Sequence, residues 1–280
     1  MKFNELTILL ISYYSTKDIK RLVKQIYPQI KILIIDNANE KFFFKNIGSP
    51  KNVKVIQPNF NTGQVGGINI GFNKIKTKYL LYMDPDVFFK KVIIKKFLDK
   101  AKKIKDFIIL APQHEKSFYK KDFISPKKSK IKDATLMKLV HGHFLFFNMK
   151  DVRKVGNYDK KIWMYFDETD YCLRAYRKNK KIYVIPKFKV IHKGGSSIKS
   201  GKTLEIESHH KWHYMWSKFY FLKKNYGLYT AYKQTLGDLI INLLKFIIFF
   251  FIDKDKSVIY YNAISGLINS YLNNKSYKRP

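Results

Sequence analysis

The sequence predicts an α/β protein: a mostly parallel, mixed sheet flanked by helices, with a helical appendage at the C-terminus. Three observations carry that expectation. Short runs that are apolar at nearly every position alternate with helical stretches through the first two-thirds of the chain, the pattern of strands covered on both faces. Two of those runs end abruptly in an acid, at Asp36 and Asp84. From Glu205 onward the chain is helical and aromatic, without the turn signals of a second β domain.

In order, Leu6–Ser12 is a buried strand, followed by a helix from Thr16 to Tyr27 that stops near Pro28. Lys31–Asp36 and Val53–Gln57 are the next strands. Gly63–Gly71 is a glycine-rich turn entering a helix that runs to Ile75, and Tyr79–Met83 is a fourth strand. A Lys-rich helix (Val92–Lys103) and the strand Phe107–Ala111 precede a basic loop, Lys116–Lys132. Gly142–Asn148 resumes as a strand. Asp167–Asn179 reads as a helix whose first turn carries Asp167, Glu168 and Asp170, acids that suit the positive end of the helix dipole. Two short strands, Lys181–Ile185 and Phe188–His192, complete the pattern. In such sheets ligands bind at the carboxyl ends of strands, so Ser12, Asp36 and Asp84 are expected on one rim.

At 280 residues and 46% hydrophobic, the chain is long enough for one large domain, residues 1–200, and a smaller helical region, 201–280. The net charge of +34 has three readings: an AT-biased coding sequence rich in Lys, Ile, Asn and Tyr, attraction to an anionic membrane, or nucleic-acid binding. Lys far outnumbers Arg, which argues against a nucleic-acid partner. The lone Cys172 excludes an intramolecular disulfide framework and suits a reducing cytoplasm. Leu6–Ser12 is too short for a secretory signal. The apolar run Leu239–Ile252 is shorter than the ~20 residues that span a bilayer.

Asp84-Pro85-Asp86 sets two carboxylates behind a buried strand, hard oxygen ligands suited to Mg2+ or Mn2+; an ordinary Asp-Pro turn is the competing reading. In Asp167-Glu168-Thr169-Asp170, mutual repulsion and partial burial can make a general base, beside the simpler role of helix capping charge. His192 ends a strand before Gly194-Gly195, which would let backbone amides approach an anion. Asn61–Gly71 is glycine-rich, but it is neither a Walker loop nor a dinucleotide fingerprint.

Taken in order, these segments resemble the inverting glycosyltransferases of family 2, with the GT-A fold, and especially their rhamnosyltransferase-like branch. The resemblance spans about Leu6 to Ser197. It implies donor-binding roles for Ser12, Tyr13, Asp36, Asn61, Gly63, Asn69 and Asp84. Met83-Asp84-Pro85-Asp86 is similar to the family's Asp-x-Asp motif, with Asp86 the principal metal ligand, Asp84 its neighbour and His192 completing the set. Asp167-Glu168-x-Asp170 corresponds to the family's Glu-Asp-x-Asp signature with the first two acids exchanged, which implies Glu168 as catalytic base and leaves Asp167 as its rival. The implied cofactor is Mg2+ or Mn2+. The implied partners are a nucleoside-diphosphate sugar (dTDP-rhamnose-like or a UDP-sugar) and a saccharide or lipid-linked acceptor, in cell-surface polysaccharide synthesis.

Beyond Ser197 the resemblance fades. Trp212, Tyr214, Trp216, Phe219, Tyr220 and Phe221 lie among lysines, followed by Leu239–Ile252. Two readings stand side by side: peripheral attachment to the inner face of the cell membrane, or a helical region packing on the catalytic domain or a second subunit. His209, His210 and His213 are read as structural. A sugar-phosphate nucleotidyltransferase and a basic nucleic-acid-binding protein are the alternative functions. The first would need a glycine-rich basic loop that Ser12–Asp18 lacks.

Overall fold

A computed structural model describes residues 3–114, 121–193 and 203–279. The chain divides into two compact units: Met1–Tyr158 with Tyr171–Lys199, and Asp159–Asp170 with Ser200–Pro280.

In the first unit the strands are β1 (Leu6–Ser12), β2 (Lys31–Asp36), β3 (Val53–Ile56), β4 (Tyr79–Met83), β5 (Val87–Phe88), β6 (Ile109–His114), β7 (Thr135–Met137), β8 (Phe144–Asn148) and β9 (Ile182–His192). They form one sheet in the order β3-β2-β1-β4-β8-β6-β9-β5, with β7 also paired to β9. β3, β2, β1 and β4 are parallel, whereas β8 inserts antiparallel between β4 and β6. The helices α1 (Thr16–Gln25), α2 (Phe43–Asn46), α3 (Gly63–Lys74), α4 (Val92–Ile104), α5 (Met149–Val155) and α6 (Asp167–Arg177) connect them.

The continuous apolar strands are explained by two cores, one on each face. Alternate residues of β1 and β4 (Leu6, Ile8, Leu10; Tyr79, Leu81, Met83) pack with Ile19 and Leu22 of α1 and Phe97 of α4. The residues between them (Leu9, Ile11; Leu80, Tyr82) pack with Val65, Ile68 and Phe72 of α3, and with Tyr171 of α6. A strand buried on both sides has no polar face to show, so its sequence loses the alternation of a half-exposed strand.

The glycines of α3 have a packing role. A Cβ on Gly67 would lie 2.7 Å from Ile11 Cδ1, and one on Gly71 would lie 2.4 Å from Leu9 Cδ2. Two glycines one helical turn apart let α3 close onto β1, which accounts for a glycine-rich segment that matches no phosphate-loop fingerprint.

Several elements differ from the sequence expectation. The two strands at Lys181–Ile185 and Phe188–His192 are a single strand, β9. Its register with β6 slips between Pro112 and Gln113, whose partners are Ile185 and Lys189, so Pro186 falls in the irregularity where its missing N–H breaks no ladder bond. The strand expected at Phe107–Ala111 runs Ile109–His114. The sequence pattern also misses β5, β7, α2 and α5: segments of two to seven residues are too short to display a period.

The second unit contains α7 (Thr203–Tyr226), α8 (Leu228–Ile252) and α9 (Lys254–Tyr271). Trp212, Trp216, Phe219 and Phe221 are buried here, as the core of a helical unit, so the expected interfacial aromatic belt does not include them. α7 and α9 cross closely at Gly266, where a Cβ would sit 2.2 Å from the Trp212 carbonyl oxygen. His213 is buried and bonds the Lys278 carbonyl (2.8 Å). Burial pushes its imidazole down to about 3, which fits a structural role. The apolar run Leu239–Ile252 is the end of a 25-residue helix.

Candidate active site

Register alone aligns the predicted rim. Ser12 pairs with Asp36 and Leu10 with Met83, so the ends of β1, β2 and β4 lie side by side. The chain then turns sharply through Asp84-Pro85-Asp86 into β5, with Val87 N–H donating to the Asp84 carbonyl (3.3 Å). β5 pairs antiparallel with the end of β9, Val87 opposite His192, and this pairing brings a histidine from far along the chain to the two acids.

The result is a cluster of three ligand-type side chains. His192 Nε2 lies 3.1 Å from Asp86 Oδ1 and 3.5 Å from Asp84 Oδ2. One ligand atom from each residue falls within 4.8 Å of the others. Donors on one octahedral cation are separated by up to about 4–4.5 Å at bond lengths near 2.1 Å, so small adjustments would close the set on an ion. Two carboxylates and an imidazole suit Mn2+, and Mg2+ with more water. Asp86 is buried, while Asp84 and His192 are partly open to solvent. Burial works against charge on His192, but the hydrogen bond it donates to Asp86 and the negative charge of both acids outweigh it and hold its pKa above the usual histidine value. The acid pair thus attracts positive charge.

The surroundings hold these groups in place. Tyr82 donates its hydroxyl to Asp84 Oδ1. Arg21 of α1 donates to the carbonyls of Pro85 (2.7 Å) and Val87 (3.2 Å) and stacks over Phe88, clamping the turn from behind. His143 lies parallel to His192, with ring centroids 4.8 Å apart and 7° between planes. Burial and the neighbouring histidines push its imidazole down to about 3, so it is neutral. His114 Nε2 accepts the His192 backbone N–H at 3.2 Å. Sequence reasoning missed all five of these residues. The only signal was the Gly-His-Phe spacing at the start of β8, which has no meaning until β9 is placed beside it.

Of the predicted donor-side residues, Ser12 is buried and bonds Ser15 (3.0 Å), while Tyr13 is half-buried against Tyr14. Asp36 is fully buried, and its oxygens accept the N–H groups of Ala38 (3.2 Å) and Glu40 (2.8 Å) and the Gln57 amide (2.8 Å). The neighbouring Asn37, which sequence reasoning left without a role, links this strand end to α3. Its Oδ1 accepts from Thr62 Oγ1 (2.8 Å) and its Nδ2 donates to the Gly63 carbonyl (3.0 Å). Asn61 Oδ1 accepts the Gly63 N–H (2.9 Å), and Gly63 takes φ +67°, a left-handed value that glycine adopts freely. Asn69 uses both ends of its amide on the backbone of Tyr158, accepting its N–H (2.8 Å) and donating to its carbonyl (3.1 Å). Its observed contact is therefore to the chain itself. Gly194 and Gly195 lie outside the described residues.

The acidic segment belongs to the helical unit. Asp170 is fully buried and paired with Lys224 of α7 at 2.7 Å, and Lys224 also holds Asp159 at 2.7 Å. Ser217 donates to the Met164 carbonyl (2.7 Å). Tyr165 and Phe166 have positive φ, 62° and 59°, so the chain enters α6 through a bend that α7 braces with Tyr214 and Phe221. Asp167 is buried and Glu168 half-buried. Burial raises the Glu168 carboxyl above its ordinary value.

Residues 7–156 match the sequence profile of glycosyl transferase family 2, slightly more than half the chain and including β1, β2, the α3 entry and both acids after β4. The chain belongs to glycosyl transferase family 2. A curated relative, the low-salt glycan biosynthesis hexosyltransferase Agl10 of Haloferax volcanii, is 21% identical over 199 residues, covering 63% of this chain. The match spans 63% of that relative's own length, a little under two-thirds. Solved structures share the fold at low identity. The mannosyltransferase PcManGT of Pyrobaculum calidifontis, in complex with GDP-Man and Mn2+, superposes with TM-score 0.59 at 9% identity, over 97% of this chain and 88% of that one. S. aureus TarS 1-349 gives 0.55 at 12%, over 98% and 93%. GalNAc-T7 with UDP, GalNAc and Mn2+ gives 0.57 at 14%, over 78% and 50%. The family 2 chain therefore has the GT-A fold expected from its motifs.

Proposed function

We propose that this family 2 chain is a metal-dependent, inverting glycosyltransferase. It would move a hexosyl unit from a nucleoside-diphosphate sugar, dTDP-rhamnose-like or UDP-linked, to a saccharide or lipid-linked saccharide in surface-polysaccharide synthesis. The observation that carries this reading is the Asp84–Asp86–His192 cluster at the rim of a GT-A sheet. Two of the related structures contain Mn2+ with a nucleotide or nucleotide sugar, which supports the same ligand class here. Cys172, buried and outside any disulfide, fits a cytoplasmic enzyme.

Asp86 and His192, with Asp84 beside them, would hold Mg2+ or Mn2+, which when bound offsets the charge on the departing diphosphate. Ser12, Tyr13, Asp36, Asn61 and Gly63 frame the nucleotide side of the rim, with Asp36 ordering the loop behind it through its own hydrogen bonds. Asn69, in this reading, contributes indirectly, by holding the backbone of Tyr158. Glu168 accepts the proton of the acceptor hydroxyl as that oxygen bonds to the anomeric carbon. The bond from that carbon to the diphosphate oxygen breaks on the opposite face, and the configuration inverts. A carboxyl with raised proton affinity is suited to that task. Asp167, buried and one residue earlier, is the alternative base.

The test is a screen of sugar nucleotides for metal-dependent nucleoside-diphosphate release, with and without lipid-linked acceptors. Turnover that survives both Asp86→Ala and Glu168→Gln would refute the assignment.

A further inference from the structure

We infer that α8 is a membrane-docking element that lies in the plane of an anionic bilayer and sinks one broad apolar face into it. This inference rests on the helical unit alone and is independent of the catalytic reading.

The first turns of α8 are moored to their neighbours. Ala231 and Thr235 are buried, Thr235 Oγ1 meets the Tyr271 hydroxyl at 2.9 Å, and Asp238 pairs with Lys218 at 2.5 Å. From Leu236 to Ile252 the cover is one-sided. Phe246 and Phe249 face α9, where Phe249 stacks on Tyr260 (5.4 Å) and Phe246 meets Tyr261 (6.0 Å), and half-buried Asn242 donates its amide to the Asp238 carbonyl of its own helix (2.6 Å). At about 100° per residue, most of the other positions of this stretch sweep an arc of roughly 200° that holds only apolar residues and Gly237, with Asp238 and Lys245 outside it. Ile240, Leu244, Ile247 and Ile248 in this arc are all at least half exposed, and Phe251 and Ile252 are 82% and 73% exposed. Soluble proteins rarely leave a contiguous apolar face of this extent in water.

Charge selects the occupant. Lys245 stands at the border of the arc and Lys233 lies exposed at its start, while at its far end Lys254 and Lys256 alternate with Asp253 and Asp255, Lys256 pairing with Asp253 at 3.0 Å. On a chain of net charge +34 this arrangement fits the headgroups of an acidic lipid surface, with apolar contact below and ammonium groups at the interface.

By length and composition α8 could cross a bilayer. Its attachment argues for lying flat. The uncovered stretch of 17 residues is about 25 Å long against a hydrocarbon core of about 30 Å. A crossing would also carry α9 inward with exposed Lys254, Asp255 and Lys256, and with Asn262.

The experiment is flotation of the full chain with phosphatidylcholine vesicles with and without phosphatidylglycerol, paired with light scattering in lipid-free buffer. The wild type should float with the anionic vesicles and lose binding as salt rises. Ile247→Glu combined with Phe251→Glu should weaken binding by at least about tenfold. Lys233→Glu with Lys245→Glu, which leaves the apolar arc intact, should weaken it and flatten the salt dependence. Circular dichroism should report unchanged helix content in both. An environment-sensitive dye on Leu236→Cys, Leu244→Cys and Phe251→Cys should report similar shallow depths. Absence of vesicle binding by the wild type overturns the proposal, as does undiminished binding of the glutamate variant. Lipid-free dimerisation abolished by that variant assigns the face to a second copy and also overturns it. A graded depth reaching the bilayer centre overturns the in-plane arrangement.

Discussion

His192 sits between two carboxylates because β5, two residues long, pairs with the last residues of β9. The acids were legible in the sequence from their place behind a buried strand. The histidine was legible only through family resemblance, since no local pattern ties residue 192 to residue 86. Its supports, His143 and His114, were not legible at all, because they act through ring stacking and a backbone bond across strands. His143→Ala should weaken Mn2+ affinity by about tenfold, and His143→Phe should restore most of it by refilling the stack; calorimetric Mn2+ titration distinguishes them. Glu168 supplies a pH prediction. Its proton is held more tightly in the folded chain than in the unfolded one, so this group stabilises the fold below the ordinary glutamate value and that contribution is lost as pH rises through its raised value. A base must be deprotonated, so kcat/KM should climb as pH rises through the same raised value. Glu168→Gln should abolish that limb and lower kcat by roughly 10²–10⁴. A limb that persists in the variant would move the role to Asp167.

The elements show why some patterns could be read and others could not. β1, β2 and β4 are apolar at nearly every position because both faces are covered, and each has the bounds that the sequence predicts. β9 looked like two strands because Pro186 and Lys187 interrupt the pattern, although the proline only occupies a register slip. The glycines of α3 match neither a Walker loop nor a dinucleotide fingerprint, and the spacing of Gly67 and Gly71 serves close packing on β1. Glycine positions elsewhere give a paired test. Gly266→Ala drives a methyl into the Trp212 backbone and should destabilise the protein by at least about 1–3 kcal/mol, whereas Gly237→Ala, with open space around it, should stabilise by about 0.5–1 kcal/mol. Chemical denaturation followed by circular dichroism measures both. α7 is expected to govern catalysis through Lys224. Lys224→Met leaves Asp159 and buried Asp170 without their shared cation, and should lower kcat while sparing the KM for donor. An unchanged kcat would detach the acidic segment from α7.

At the scale of the whole molecule, the family profile ends at residue 156, before His192 and before the acids of α6. The remaining chain returns β9 to the sheet and holds the start of α6 within a helical unit that also carries α8. Aromatic richness after residue 205 leaves an interfacial belt and a packed helical region side by side as readings, and the described residues hold a buried core on α7 and an exposed apolar arc on α8. Composition could not make that separation, because a packed core and a lipid-facing helix draw on the same residues. The proposal that matters most is that Asp84, Asp86 and His192 would hold a metal ion, which when bound would offset the charge on the diphosphate leaving a sugar nucleotide. Release of nucleoside diphosphate from a panel of sugar nucleotides, measured with Mn2+ and after chelation in the wild type and in Asp86→Ala, tests it most directly. The expected result is release from one donor that requires Mn2+ and falls at least about 10²-fold in the variant; release that persists equally after chelation and in Asp86→Ala would contradict it.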